Sequence, residues 1–502
     1  MGQLLSSKQP PDVLARTSMP PYCVRTLGVS HVLVAGGGGA AKTGVKNAIE
    51  VYGIEVAEEH AGDGDNPPIR LVKVNTVETG GRATMNMDVR PLNRNGATVD
   101  GSNPADFVLA CGQDDRCQLY RASVELCYSV DGNIQRRLSV LPSEFDQSAA
   151  SEQQSTAHNN NNEGEETGGA GGQEKAQAKT PAPLARRRQN TRKLSYAVES
   201  AVDFQSDFTD TATSKSAISF QKVCRFDPSS KFAYVATGGA DGTIRLWHPR
   251  TAEKNVQMDA HKGDVDDMDV SPDGAVLVSV GHDSKTILWR TQDGAQLREL
   301  PLPPELAAQA VKFRNRTVRF TPLGSRNHVF VTAAIPVQRG GKQQRSFLTL
   351  WAYSMQHNQA RPIVTNAACS EVVSALSVSA DGEHTAVGTL QGSVGLYETR
   401  SLQLLRFFRE RHEIFVTGVE FLRLAAASCG DQKSNVPLFS VVSPLAASCD
   451  AAVLSISADH SVQLHVLPPQ SADNDGGVWW ALVKCAFHMT LLYLLLKVVV
   501  GL

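Results

Sequence analysis

The residues that most invite a chemical reading lie near the start of the chain. Gly36-Gly37-Gly38-Gly39-Ala40-Ala41-Lys42-Thr43-Gly44 sets a run of glycines against a lysine and a threonine. Counted from Gly36, the run meets most of the G-x-x-x-x-G-K-[ST] pattern that cradles nucleotide phosphates. It fails at Ala41, where that pattern needs a glycine to turn backbone amides toward phosphate. A phosphate loop must also open into a helix whose N-terminus adds its dipole. Here Lys46 to Tyr52 alternates as a strand does, so nucleotide hydrolysis is not the expected chemistry. Glycine lets main-chain carbonyls and amides come within contact distance of a partner. The run, with Lys42, Thr43 and Asn47, is therefore expected to be a long, low-bulk hairpin that enters a groove on another protein.

Covalent catalysis finds no support elsewhere. No paired acid and base or nucleophile group stands out, and His261 and His412 are better explained by repeat structure. The nine cysteines contain no C-x-x-C pair, which argues against both a zinc site and a disulfide framework. Lys plus Arg is 49 against 51 Asp plus Glu. That balance removes the global electrostatic case for a nucleic-acid binder.

The elements that must position the loop are strands. Short alternating segments separated by Gly, Asp and Asn recur along the chain, a strand-and-turn rhythm. Val223–Trp247 and Val265–Trp289 align with a spacing of about 42 residues, which places Asp241 opposite Asp283 and Trp247 opposite Trp289. His261, Asp283 and Trp289 match the structural His/Asp/Trp group of a WD-repeat blade. Seven such units, ending near residues 54, 121, 248, 290, 353, 398 and 466, predict an all-β, seven-bladed β-propeller.

Two segments break the rhythm. From 143 to 195 the composition turns to Gln, Asn, Ser, Gly and Glu, with no apolar face to repay ordering entropy. Its end carries a basic cluster, Arg186, Arg187, Arg188, Arg192 and Lys193. The last 24 residues, 479–502, would extend about 36 Å as a helix, enough for a bilayer core of about 30 Å. Lys484 and Lys497 are placed to snorkel. The first twenty residues lack the apolar region of a secretory signal, so the anchor is expected to insert after synthesis and leave the propeller facing the cytosol. The expected organisation is a flexible tail over 1–20, blades 1 and 2 over 21–142 with the glycine loop at 36–47, a disordered insert between blades over 143–195, the remaining blades over 196–468, a linker over 469–478 and a transmembrane helix over 479–502.

Gly36 to Asn47 in the first blade, Arg82-Ala83-Thr84-Met85-Asn86, GGADGTIRLW, Glu371 to Ser374 and the C-terminal span together resemble the prolactin regulatory element-binding, or Sec-twelve, family of WD-repeat guanine-nucleotide exchange factors. The resemblance covers nearly the whole ordered chain. It implies a single-pass endoplasmic-reticulum membrane protein that catalyses GDP release and GTP loading of a Sar-type small GTPase. That step starts COPII coat assembly and transport to the Golgi. It also implies that Gly36, Gly37, Gly38, Gly39, Ala40, Ala41, Lys42, Thr43, Gly44 and Asn47 form the exchange loop, with Lys42 pairing an acidic group on the GTPase and Asn47 holding the loop base. A potassium ion held by loop carbonyls belongs to the same expectation, with no other cofactor required. The same expectation makes Arg82, Thr84 and Asn86 a second GTPase contact, and leaves His261, Asp283, Trp289, Asp241 and Trp247 a structural role. Two other classes stay open on the residues alone: a WD-repeat scaffold without exchange activity, and a DNA-binding transcriptional regulator whose local support is the basic cluster.

Overall fold

The computed structural model describes residues 13–39, 44–56, 69–92, 106–130, 133–139, 190–209, 218–324, 326–338, 345–424 and 449–469. These residues divide into two units, one holding residues 1–121 and 198–502 and the other residues 122–197. In the smaller unit, Glu125 to Val130 pairs antiparallel with Asn133 to Ser139. The larger unit carries the propeller.

Seven antiparallel sheets follow one another along the chain, each with its innermost strand first. Blade 1 is Pro21–Leu27, His31–Gly36, Asn47–Val56 and Ile69–Gly80. Blade 4, Val265–Val270, Val276–Gly281, Thr286–Arg290 and Gln296–Glu299, shows why the sequence folds this way. Its second strand, VLVSVG, is buried at every position, as a strand covered on both faces must be. Its outer strand, QLRE, is mostly exposed. Apolar clusters fill the space between neighbouring blades, with Val265, Met268 and Trp289 packed beside Ile244 and Leu246 of blade 3. The seven sequence-predicted strand ends fall on third strands or, at residue 248, one position beyond, so the seven-bladed all-β reading holds.

Two expectations change. The tail over 1–20 gives way at Val13, because Val13–Arg16 pairs antiparallel with Ser461–Leu467 and supplies the outer strand of blade 7. Thr17 N–H extends the closure by donating to His460 O at 2.9 Å. The insert does not lie between blades: the outer strand of blade 2 is the last part of Asn190–Gln205, so the interruption falls within blade 2, between its third and fourth strands. Residues 190–195 are strand accordingly, and 143–189 lie outside the described residues. The transmembrane helix expected at 479–502 also lies outside them. Among the described residues no helix is long and apolar enough to cross a membrane.

At one register of the innermost strands the seven blades present Arg25, Asp88, Arg225, Asp269, Arg319, Ser377 and Glu420, and all seven line a central cavity of about 540 Å³. Ion pairs run from Arg25 to Glu420 at 3.2 Å, from Arg25 to Asp88 at 3.6 Å and from Arg225 to Asp269 at 3.2 Å. The Asp88 and Asp269 carboxylates also accept from Phe226 N–H and Phe320 N–H of the next blade, at 2.8 and 2.7 Å.

Candidate functional site: the glycine hairpin of blade 1

The glycine run joins the second and third strands of blade 1, whose ladder ends on Gly36 opposite Ala48. Two close approaches explain the first glycines. A Cβ on Gly36 would lie 2.0 Å from Pro20 O, and one on Gly37 would lie 2.2 Å from Asn47 Oδ1 at a φ of +142°. Gly37 N–H donates to Pro20 O at 3.1 Å, so the hairpin base rests on the segment that links ring closure to blade 1.

Asn47, 5% exposed, holds the other side. Its Oδ1 accepts from Gly39 N–H at 2.8 Å, while its Nδ2 donates to Gly39 O at 3.3 Å and Gly80 O at 3.0 Å. The amide thereby ties the hairpin to the end of the outer strand. Ala40, Ala41, Lys42 and Thr43 lie outside the described residues. Gly44 and Val45 beyond them are exposed.

Beneath the hairpin, Glu50 is fully buried. It accepts from Ser18 Oγ at 2.7 Å, Tyr52 Oη at 2.6 Å and Lys73 Nζ at 2.8 Å. Burial alone would raise its pKa, yet the bonds from Lys73, Ser18 and Tyr52 outweigh burial and hold it below the ordinary carboxylate value. Ser18 is thus pinned to blade 1 two residues before Pro20, which fixes the surface on which Gly36 and Gly37 sit.

Arg82, Thr84 and Asn86 lie in and just after the connection from blade 1 to blade 2. Arg82 shares the Asp203 carboxylate with Arg116, at 3.1 and 2.9 Å. Thr84 is fully buried and accepts from Gln113 Nε2 at 3.0 Å, so it offers no side-chain surface. Asn86 exchanges hydrogen bonds with Gln221, whose O and Nε2 lie at 2.9 and 3.1 Å. Arg82 and Thr84 thus bind blade 2 and Asn86 reaches blade 3, with Arg82 and Asn86 partly exposed.

His261, Asp283 and Trp289 come together through a residue that sequence reasoning missed. His261 Nδ1 lies 3.0 Å from Asp283 Oδ1, His261 Nε2 lies 2.9 Å from Ser279 Oγ, and Trp289 Nε1–H donates to Ser279 at 3.0 Å. Burial lowers the His261 pKa despite Asp283, so a neutral imidazole fits the chain of donors. Blade 3 keeps Trp247, which donates to Thr237 Oγ1 at 2.7 Å, while Asp241 pairs with Arg245 at 2.7 Å instead of a histidine. Blade 7 repeats the group as His412, Asp459, Ser455 and His465, with His465 where the tryptophan would be. A serine two strands from a histidine carries no local signal, and only alignment of blades reveals it.

The described cysteines are free, and burial pushes the thiols of Cys23 and Cys117 up to about 12, so neither is a nucleophile. No cluster suited to a metal ion occurs among the described residues. What this end of the propeller offers is a hairpin base clamped by Asn47 on one side and Pro20 on the other.

Fold and repeats define a WD-repeat β-propeller. A family model described as WD domain, G-beta repeat matches residues 215–248 and 253–290, the third and fourth blades. Over nearly its whole length the chain is similar to guanine nucleotide-exchange factor SEC12. The mouse protein is 28% identical over 494 residues and the rat protein 29% over 492, each alignment covering 96% of this chain and 96% of the relative. SEC12-like protein 2 of Arabidopsis thaliana is 28% identical over 204 residues, covering 40% of this chain and 46% of that protein.

Proposed function

We propose that this protein is a guanine-nucleotide exchange factor for a Sar-type small GTPase, with the hairpin Gly36–Asn47 as its exchange element. The reading rests on one observation above the rest: a chain similar end to end to SEC12 exchange factors carries a glycine hairpin whose base is clamped by Asn47. Exchange requires that the factor bind the nucleotide-free GTPase better than the loaded one, so that each encounter weakens the hold on GDP. Asn47 fixes the base of the hairpin before the encounter, so less binding free energy is lost in ordering that base. Its glycines bring main-chain groups against the GTPase, and Lys42 pairs with an acidic group there. The potassium ion implied by the family would be held by loop carbonyls. Gly39 O, which takes one bond from Asn47 Nδ2, keeps a lone pair for such a cation. Residues 479–502 hold the propeller on the cytosolic face of the endoplasmic reticulum, where GTP loading starts COPII assembly.

The test is fluorescence-monitored nucleotide release from a Sar-type GTPase, with the full chain and with a variant whose Gly38–Gly44 is replaced by a short turn. Acceleration by the first and none by the second, at equal folded content, is the expected result. Equal rates would remove the hairpin from the mechanism, and no acceleration by either would leave a scaffold.

A further inference from the structure

Exposed apolar side chains are concentrated on the end of the propeller that bears the hairpin. In each blade the turn between second and third strands and the connection into the next blade emerge at that end, because the strands alternate in direction. Among the described residues ten large hydrophobic side chains are exposed, and seven of them sit on these turns and connections. The other three, Met355, Ile363 and Leu404, lie in an opposite turn or on outer strands. Exposed hydrophobics scattered singly are normal, so it is neighbouring ones on one face that bear on an interaction.

Two of the seven are adjacent and firmly mounted. Ile414 and Phe415, 41% and 42% exposed, end the connection from blade 6 to blade 7. Behind them, His412 is buried against Asp459 and Ser455, and Glu413 N–H donates to Asp459 Oδ2 at 3.1 Å. Ahead of them, Val416 is fully buried, and Thr417 Oγ1–H donates to Pro21 O at 2.8 Å. Pro21 follows the Pro20 whose carbonyl holds Gly37. Two hydrogen bonds and a few residues of chain therefore connect this apolar pair to the hairpin base, across the boundary between blades 7 and 1.

We propose that Ile414 and Phe415 are the apolar anchor that docks the small GTPase beside the hairpin, filling an apolar depression on the GTPase that is present whichever nucleotide it holds. The inference rests on the exchange reading and divides its labour. A rigid aromatic and aliphatic pair against a pocket is the kind of contact that dominates an interface. Because the contact is made equally by loaded and empty GTPase, it sets the concentration at which exchange saturates. The hairpin, which favours the empty form, sets the rate at saturation.

The experiment measures exchange by the full chain over a range of GTPase concentrations, with Ile414→Asp, Phe415→Asp, the hairpin replacement and, as a control on an outer strand, Leu404→Asp. The expected result is a rise of about tenfold or more in the half-saturating GTPase concentration for each anchor variant, with the saturating rate within about twofold of wild type. The hairpin replacement loses the saturating rate, and the Leu404 variant changes neither. Phe415→Ser, with an unchanged melting temperature, guards against an effect of the new charge. Unchanged half-saturation in both anchor variants overturns the docking assignment while leaving exchange intact. A loss of saturating rate alone overturns it as well, and a wild type that never accelerates release removes the exchange reading and the anchor together.

Discussion

Replacing Asn47 by alanine tests whether a pre-ordered hairpin base matters. The side chain makes three hydrogen bonds, to Gly39 N–H, Gly39 O and Gly80 O, at 2.8, 3.3 and 3.0 Å. A net of about 1 kcal/mol each gives about 3 kcal/mol. Water reaching the freed groups at this edge reduces the cost, so about 2 kcal/mol is the working figure. The loss acts on the hairpin more than on the blade, because the ladder from His31–Gly53 to Gly36–Ala48 does not use the side chain. Two kcal/mol shifts the equilibrium between the clamped and the released hairpin base by about 30-fold. Stopped-flow release of fluorescent GDP at saturating GTPase is expected to slow by at least tenfold, with far-ultraviolet circular dichroism unchanged. Asn47→Asp is expected to do no better, since it turns an oxygen toward the carbonyls of Gly39 and Gly80 that Nδ2 now serves. An Asn47→Ala protein that exchanges within about threefold of wild type refutes the argument that the clamp prepares the loop.

Two further outcomes follow from the ring. A chain beginning at Thr17 loses the strand Val13–Arg16 and leaves Ser461–Leu467 as an open edge; it is expected to lose about 2 kcal/mol or more and to self-associate, read by thermal melting and sedimentation. Burial, aided by nearby His412, Arg411 and Arg406, pushes the His465 pKa down to about 3. Its folded pKa is below the unfolded value of about 6.5, so its share of stability is complete above 6.5 and is lost as pH falls toward 3, about 2 kcal/mol by pH 5. Urea titrations at pH 7 and pH 5 should show that difference in wild type and a smaller one in His465→Gln; equal differences would sink the assignment. Glu50 gives up its contribution at lower pH, because its bonds hold it below the ordinary carboxylate range.

Third strands were legible because each ends a buried, alternating run at a recognisable aromatic or turn. Outer strands were not: Lys254–Asp259 is largely exposed and Leu404–Phe408 only partly buried, so little constrains their pattern. The closing strand is four residues long and pairs with residues some 450 positions away, a partnership that no local window contains. The insert was recognised by composition, yet composition does not say whether the blade before it is complete. In the site, the glycine run and Asn47 stood out by residue type, whereas the support of Gly36 and Gly37 by Pro20 depends on ring closure. The burial of Thr84 follows from Gln113 across two strands, and a threonine between two loops gives no warning of it.

The ring of Arg25, Asp88, Arg225, Asp269, Arg319, Ser377 and Glu420 has a consequence that is a matter of parity. Charges that alternate in sign around a closed circuit close without conflict only when their number is even, and this circuit has an odd number of stations. Going round from Arg25, the signs alternate as far as Arg319 and resume at Glu420. Ser377 occupies the one uncharged station. A charge of either sign at that station would face a like charge, on Arg319 or on Glu420. A cut and rejoining of the chain elsewhere, as in a circular permutant, keeps every neighbour and every sign. Duplication of any one of the charged blades beside itself would set like charges together, so the circuit opposes an added charged blade, though not an added copy of the one that carries Ser377.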